Sequence, residues 1–226
     1  MNTIQGITFG KSEESPLFYL AREPKIHSEN PPVIILLHGV GSNEKDLFSF
    51  ADQLPGKFLI ISARAPLVAG RDSYAWYQVD FSAGKPIFNV EQEEKSKNII
   101  LRFINFLKDK YAVDEKQVYL CGFSQGAIMS YVVGLTNPGK IKGIAAMSGR
   151  ILDEVRPFIA SNEALKHLNI FISHGTNDGV LTVQYGREAS SLLKQLNLNP
   201  EYHEYPAGHT INNEMFRDLL NWLNFQ

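Results

Sequence analysis

The chain has 226 residues, 22 Lys plus Arg against 24 Asp plus Glu, one cysteine and 44% hydrophobic residues. A formal net charge of −2 with 20% charged residues describes a globular protein rather than a disordered one. It leaves no basic surplus for a phosphate backbone, so nucleic acid is not an expected partner. The lone thiol, Cys121, excludes an internal disulfide and any multi-cysteine metal centre.

The first residues, Met1 to Gly6, carry neither the basic start nor the apolar stretch of a secretory signal. The longest purely apolar run, Val33 to Leu37, falls far short of the roughly 20 residues a spanning helix needs. The expectation is a cytoplasmic protein without integral membrane association, folded as a single domain over residues 1–226.

In chain order, residues 8–22 suit an antiparallel edge strand or hairpin, and Val33 to Leu37 a strand buried on both faces. A helix is expected over 43–53 and a strand over Phe58 to Ser62. Arg64 to Asn89 reads as a loop, with Pro66, Gly70, Gly84 and Pro86. The clearest helix runs from Val90 to Tyr111, where Ile100, Phe103, Ile104, Leu107 and Tyr111 share one face. Glu91, Glu93 and Glu94 near its start and Lys108 and Lys110 near its end match the helix dipole. Then come a strand over Val118 to Gly122, a helix over 125–135, a strand over Ile141 to Met147 and a loop over 149–167. Strands at 170–172 and 201–205 alternate with helices at 183–196 and 212–225. Such alternation predicts an α/β fold, a mostly parallel sheet covered by helices.

The sharpest chemical signal is Gly122-Phe123-Ser124-Gln125-Gly126. A serine on a tight strand-to-helix turn is held with its hydroxyl clear of the sheet, and the flanking glycines avoid collision as the chain reverses. A serine hydroxyl is a weak nucleophile and needs a histidine base and a carboxylate to orient that base. Reacting groups gather at the carboxyl ends of the strands of such a sheet. His209 follows the last predicted strand and Asp178 the one before it, so the chain order is Ser124, Asp178, His209. The alternative for Asp178 is a turn residue capping the next helix, and for His209 a surface loop position. His174 reads as a hydrogen-bonded turn residue, and His27, His167 and His203 have no supporting context. No histidine pair has metal-ligand spacing, so neither a metal nor any other cofactor is expected.

An acyl enzyme also needs N–H donors aimed at its oxyanion. The backbone N–H of Gln125 comes with the turn. The second is expected from Val40, flanked by Gly39 and Gly41 directly after the early strand, with His38 holding that loop. Cys121 is out of register for the nucleophile position.

Leu37-His38-Gly39-Val40-Gly41, Gly122-Phe123-Ser124-Gln125-Gly126-Ala127, His174-Gly175-Thr176-Asn177-Asp178 and Gly208-His209 together resemble the phospholipase/carboxylesterase family of α/β-hydrolases, which includes the acyl-protein thioesterases. The resemblance covers residues 30–226 and implies the α/β-hydrolase fold with helices on both faces of the sheet and no large cap domain. It implies Ser124 as nucleophile, Asp178 and His209 as its partners, and Val40 and Gln125 as oxyanion donors. The segment Ser73-Tyr74-Ala75-Trp76-Tyr77 is similar to the family's aromatic loop, which implies Trp76 and Tyr77 as substrate-binding residues. Ordinary core aromatics are the equal alternative.

The leading expectation is a serine carboxylesterase acting on a small-molecule ester or thioester through an acyl-enzyme. An acyl thioesterase or lysophospholipase would use the same groups, and a non-catalytic ligand-binding homologue is the reading from another class. The oligomeric state, a homodimer included, is left open by the sequence.

Overall fold

The computed structural model describes residues 7–10, 15–80 and 87–226. Residues 1–6, residues 11–14 of the expected hairpin and residues 81–86 of the expected long loop lie outside the described residues.

One sheet runs through the molecule. Its strands in chain order are β1 (Ile7–Gly10), β2 (Tyr19–Arg22), β3 (Val33–Leu37), β4 (Leu59–Ala63), then four short strands off the sheet, β5 (Leu67–Gly70), β6 (Ser73–Ala75), β7 (Val79–Asp80) and β8 (Ile87–Phe88). It resumes with β9 (Val118–Phe123), β10 (Gly143–Met147), β11 (Asn169–Gly175) and β12 (Glu201–Tyr205). The spatial order is β1-β2-β4-β3-β9-β10-β11-β12. Only β1 and β2 run antiparallel to their neighbours; β3, β4 and β9 to β12 pair in parallel.

The central strands are apolar on both faces because helices cover both. Val33, Ile35, Leu37, Leu120 and Ile144 point into a core formed with α2 (Val90–Tyr111) and α3 (Gln125–Thr136), which also reaches Ala189 and Leu193 of α5 (Val183–Gln195). Ile34, Leu36, Tyr119, Cys121 and Ala145 point the other way, against α1 (Lys45–Phe48) and α6 (Asn213–Asn224). The alternation follows from the two-residue repeat of a strand. α2 begins where the Asn89 side chain accepts the Gln92 N–H at 3.0 Å and ends at Ala112 in the left-handed region. A short helix, α4 (Asn162–Leu165), lies before β11. No helix among the described residues is long and apolar enough to cross a membrane.

Three local expectations are corrected. The helix expected over 43–53 breaks into α1 and a single 3-10 turn, Ala51–Gln53. Past the 3-10 turn Pro55 has no N–H to continue a helix, and the buried Arg22 of β2 donates its guanidinium to the carbonyls of Ala51, Leu54 and Phe58 at 3.1 to 3.3 Å. Those acceptors are then satisfied without helix continuation. The segment 64–89, read as a loop, holds β5 to β8, two small antiparallel ribbons. The segment 149–167 contains a 3-10 helix, Asp153–Phe158, and α4.

Candidate active site

β9 runs into α3 through one residue, Ser124, whose backbone sits at φ 54° and ψ −117°. This is a strained conformation for a residue with a Cβ. The turn closes only with glycine on either side. A Cβ on Gly122 would fall 2.2 Å from the Gly126 carbonyl oxygen, and one on Gly126 would fall 1.8 Å from that of Leu37. The Ser124 N–H is tied to the Met147 carbonyl at 2.9 Å, and its carbonyl accepts the Ile128 N–H at 3.1 Å.

The loop after β12 reaches this serine because β11 ends in Gly175, where a Cβ would lie 2.3 Å from the Ala207 carbonyl oxygen. The Asn177 N–H donates to Ala207 O at 3.0 Å and the Thr176 N–H to Tyr205 O at 2.7 Å, docking one loop on the other. His209 then lies between two groups. Its Nε2 is 2.8 Å from Ser124 Oγ, and its Nδ1 is 2.6 Å from Asp178 Oδ2. The Phe123 ring, 4.9 Å away centroid to centroid, supports the imidazole. The Asp178 side chain is fully buried, and its other oxygen accepts the N–H groups of Val180 and Leu181 at 2.9 and 2.8 Å. All three residues thus meet at the carboxyl edge of the sheet. Such an array can pull the proton from a hydroxyl as it attacks and hold the resulting imidazolium.

Two backbone N–H groups, that of Val40 in the glycine loop and that of Gln125 at the elbow, have no backbone or side-chain acceptor among the described residues. Gly39 brings the first loop close: a Cβ there would lie 3.3 Å from that of Ser124. His38 holds this loop. Its Nε2 accepts the Ala65 N–H at 3.0 Å, so Nδ1 carries the proton and donates to Gly39 O at 2.7 Å. Burial lowers the His38 pKa and keeps the ring neutral. His174 is likewise buried with a lowered pKa; its Nε2 donates to Leu181 O at 2.7 Å, and it braces the turn that carries Asp178. Cys121 is buried in β9 with its thiol pushed up to about 12, which removes it as a nucleophile.

For Trp76 and Tyr77 the burial corrects the substrate-binding reading in favour of its equal alternative, core aromatics. Both are buried, at 0% and 2% exposure, so neither faces an open cleft. The indole Nε1 donates to the His38 carbonyl at 2.9 Å. The Gln125 side chain accepts the Trp76 N–H at 2.8 Å and donates to Tyr77 O at 2.7 Å. The aromatic segment therefore braces the elbow and the glycine loop from within.

That clamp by the Gln125 side chain was not legible in the sequence, where only its backbone N–H had a reading. A second unforeseen support is the pair Arg64–Glu44. The guanidinium donates to both carboxylate oxygens at 2.6 and 2.8 Å and lies between the rings of Phe18 and Tyr74. Burial would push the Glu44 carboxyl up, but the bonds from Arg64 outweigh it and hold it below the ordinary range. The one available hint was the position of Arg64 directly after the carboxyl end of β4.

The Phospholipase/Carboxylesterase family model matches residues 24–226. Among curated relatives, the Arabidopsis thaliana protein named "Probable carboxylesterase SOBER1-like" is 31% identical over 84% of this chain and 77% of its own length. Acyl-protein thioesterase 1 of Mycosarcoma maydis is 28% identical over 92% of this chain and 97% of its own. The crystal structure of the Bacillus cereus carboxylesterase matches in fold, with a TM-score of 0.82, 22% identity, and coverage of 94% of this chain and 96% of that one. The architecture is that of the α/β-hydrolases, and no large cap occurs among the described residues.

Proposed function

The chain belongs to the phospholipase/carboxylesterase family of carboxylic ester hydrolases, and from that premise we propose that it cleaves its substrate through an acyl-enzyme on Ser124. His209 takes the Ser124 proton as Oγ attacks the ester carbonyl. Asp178 holds the imidazole in the tautomer with its proton on Nδ1 and stabilises the imidazolium without taking that proton. The N–H groups of Val40 and Gln125 receive the oxyanion; a single donor of this kind is typically worth about 10²–10³ in rate. His209 passes its proton to the leaving oxygen, the alcohol departs, and water activated by the same imidazole releases the acid.

The observation that carries this reading is the pair of bonds made by the His209 ring, 2.8 Å to a strained serine and 2.6 Å to a buried carboxylate. A thioester substrate fits the same steps with a thiolate leaving, and the relative named acyl-protein thioesterase 1 favours it as the second reading. The test is fluorophosphonate labelling together with hydrolysis of matched ester and thioester pairs. Ser124→Ala is expected to abolish labelling and to lower kcat by about 10⁴-fold or more. Near-normal turnover by that variant would remove Ser124 from the mechanism.

A further inference from the structure

Arg150 lies just past the carboxyl end of β10, the strand whose last residue, Met147, accepts the Ser124 N–H. Its guanidinium carbon is 5.6 Å from the centroid of the Phe88 ring and 5.2 Å from that of Tyr185. A guanidinium held against aromatic rings keeps its N–H edges for planar acceptors. Its Nε is buried without an acceptor, and Arg150 has no ion-pair partner among the described residues.

These three side chains line a cavity of about 210 Å³ together with Ile151, Asp153, Glu154, Arg156 and Glu188. Each of the three adjoins a segment that supports the reaction centre. Gly149 packs on Ala127 in the first turn of α3. Phe88 stacks edge-on against Tyr77, whose carbonyl is held by Gln125. Tyr185 is in the first turn of α5, which follows the Asp178 turn, and the adjacent Gly186 packs on His174. The acidic residues stand at the exposed rim. Asp153 is paired with Arg156 at 2.9 Å, and Glu188 accepts from Gln184. The charge on the inner wall is that of Arg150.

We propose that Arg150 is a specificity-determining residue that selects esters whose acyl group ends in a free carboxylate, hemiesters of short dicarboxylic acids. This rests on the serine-esterase reading above. The guanidinium edge holds the free carboxylate through charge-assisted hydrogen bonds, and the cavity takes the few intervening carbons. Ser124 Oγ forms the acyl bond, the ester C–O bond breaks, and the products are the alcohol and the dicarboxylate.

The experiment compares kcat/KM by pH-stat on monoethyl glutarate and monoethyl adipate with that on ethyl pentanoate and ethyl hexanoate. Wild type is expected to favour the hemiesters by about 10- to 100-fold, the range of a charge-assisted hydrogen bond. Arg150→Gln is expected to bring that ratio near one, and Arg150→Lys to restore part of it. A wild-type ratio of one or below would overturn the proposal. So would an Arg150→Gln variant that slows both substrate classes alike, since the residue would then only support the fold. A wild type that turns over none of these esters and takes no fluorophosphonate label would instead overturn the esterase reading beneath it.

Discussion

Replacing Gln125 is the most direct way to separate the backbone of the elbow from the clamp that braces it. The side chain is 3% exposed and satisfies two buried groups, the Trp76 N–H at 2.8 Å and the Tyr77 carbonyl at 2.7 Å. Gln125→Ala leaves both without partners. An unsatisfied buried group costs about 1–3 kcal/mol, so the pair costs about 2–6 kcal/mol, nearer the lower end if water enters the space. At about 2–4 °C per kcal/mol for a chain of this size, Tm should fall by at least about 4 °C. The same segment is bonded to the glycine loop through Gly41 N to Tyr74 O at 2.9 Å and Tyr74 N to Ser42 O at 2.8 Å. Loosening it shifts the Val40 donor, and kcat should fall by about 10- to 100-fold, less than the loss of a whole oxyanion donor. Gln125→Glu keeps the shape but turns an acceptor toward the Tyr77 carbonyl. Its carboxyl should be held protonated, so the variant should be more stable at pH 5 than at pH 8. Urea unfolding followed by tryptophan fluorescence, with ester kinetics on the same samples, reads both effects. Stability within about 0.5 kcal/mol of wild type and kcat within twofold for both variants would refute the clamp.

Asp178→Asn should lower kcat by about 10³–10⁴-fold while the protein remains folded, because the amide cannot fix the imidazole tautomer as the carboxylate does; a loss under tenfold in steady-state kinetics would assign the acid elsewhere. Gly126→Ala drives a methyl to 1.8 Å from the backbone of Leu37, which cannot yield as a side chain could. A cost of about 3 kcal/mol or more is expected, visible as a lower Tm by circular dichroism, and an unchanged Tm would contradict the packing. Glu93 is buried in the first turns of α2, and burial with repulsion from Glu94 pushes its carboxyl up to about 7. The folded state therefore binds the proton more tightly than the unfolded chain, and stability falls as pH rises from about 4.5 to 7. Glu93→Gln should remove up to about 3 kcal/mol of this penalty at pH 8, partly offset by the lost dipole interaction of about 0.3–1 kcal/mol, and should change little at pH 4.5. An equal effect at both pH values in urea titrations would rule out the titration.

Much of the architecture was legible locally. β3 at 33–37 and α2 at 90–111 fall where periodicity put them, because a strand buried on both faces and a helix with one apolar face are patterns among neighbouring residues. The strand, Ser124 and α3 follow one another in sequence, so the elbow could be read without the rest of the fold. Sheet order and the meeting of Asp178 with His209 depend on partners distant in the chain. Arg22 takes up the carbonyls of Ala51 and Leu54, about 30 residues away, where the segment expected as a helix has ended. Trp76 has the composition of a pocket wall, yet its indole bonds to His38 and the ring is buried. A residue's type states which bonds it can make. Which acceptor lies within reach is decided when the strands pack, since desolvation and hydrogen-bond geometry belong to the assembled sheet and loops rather than to any segment.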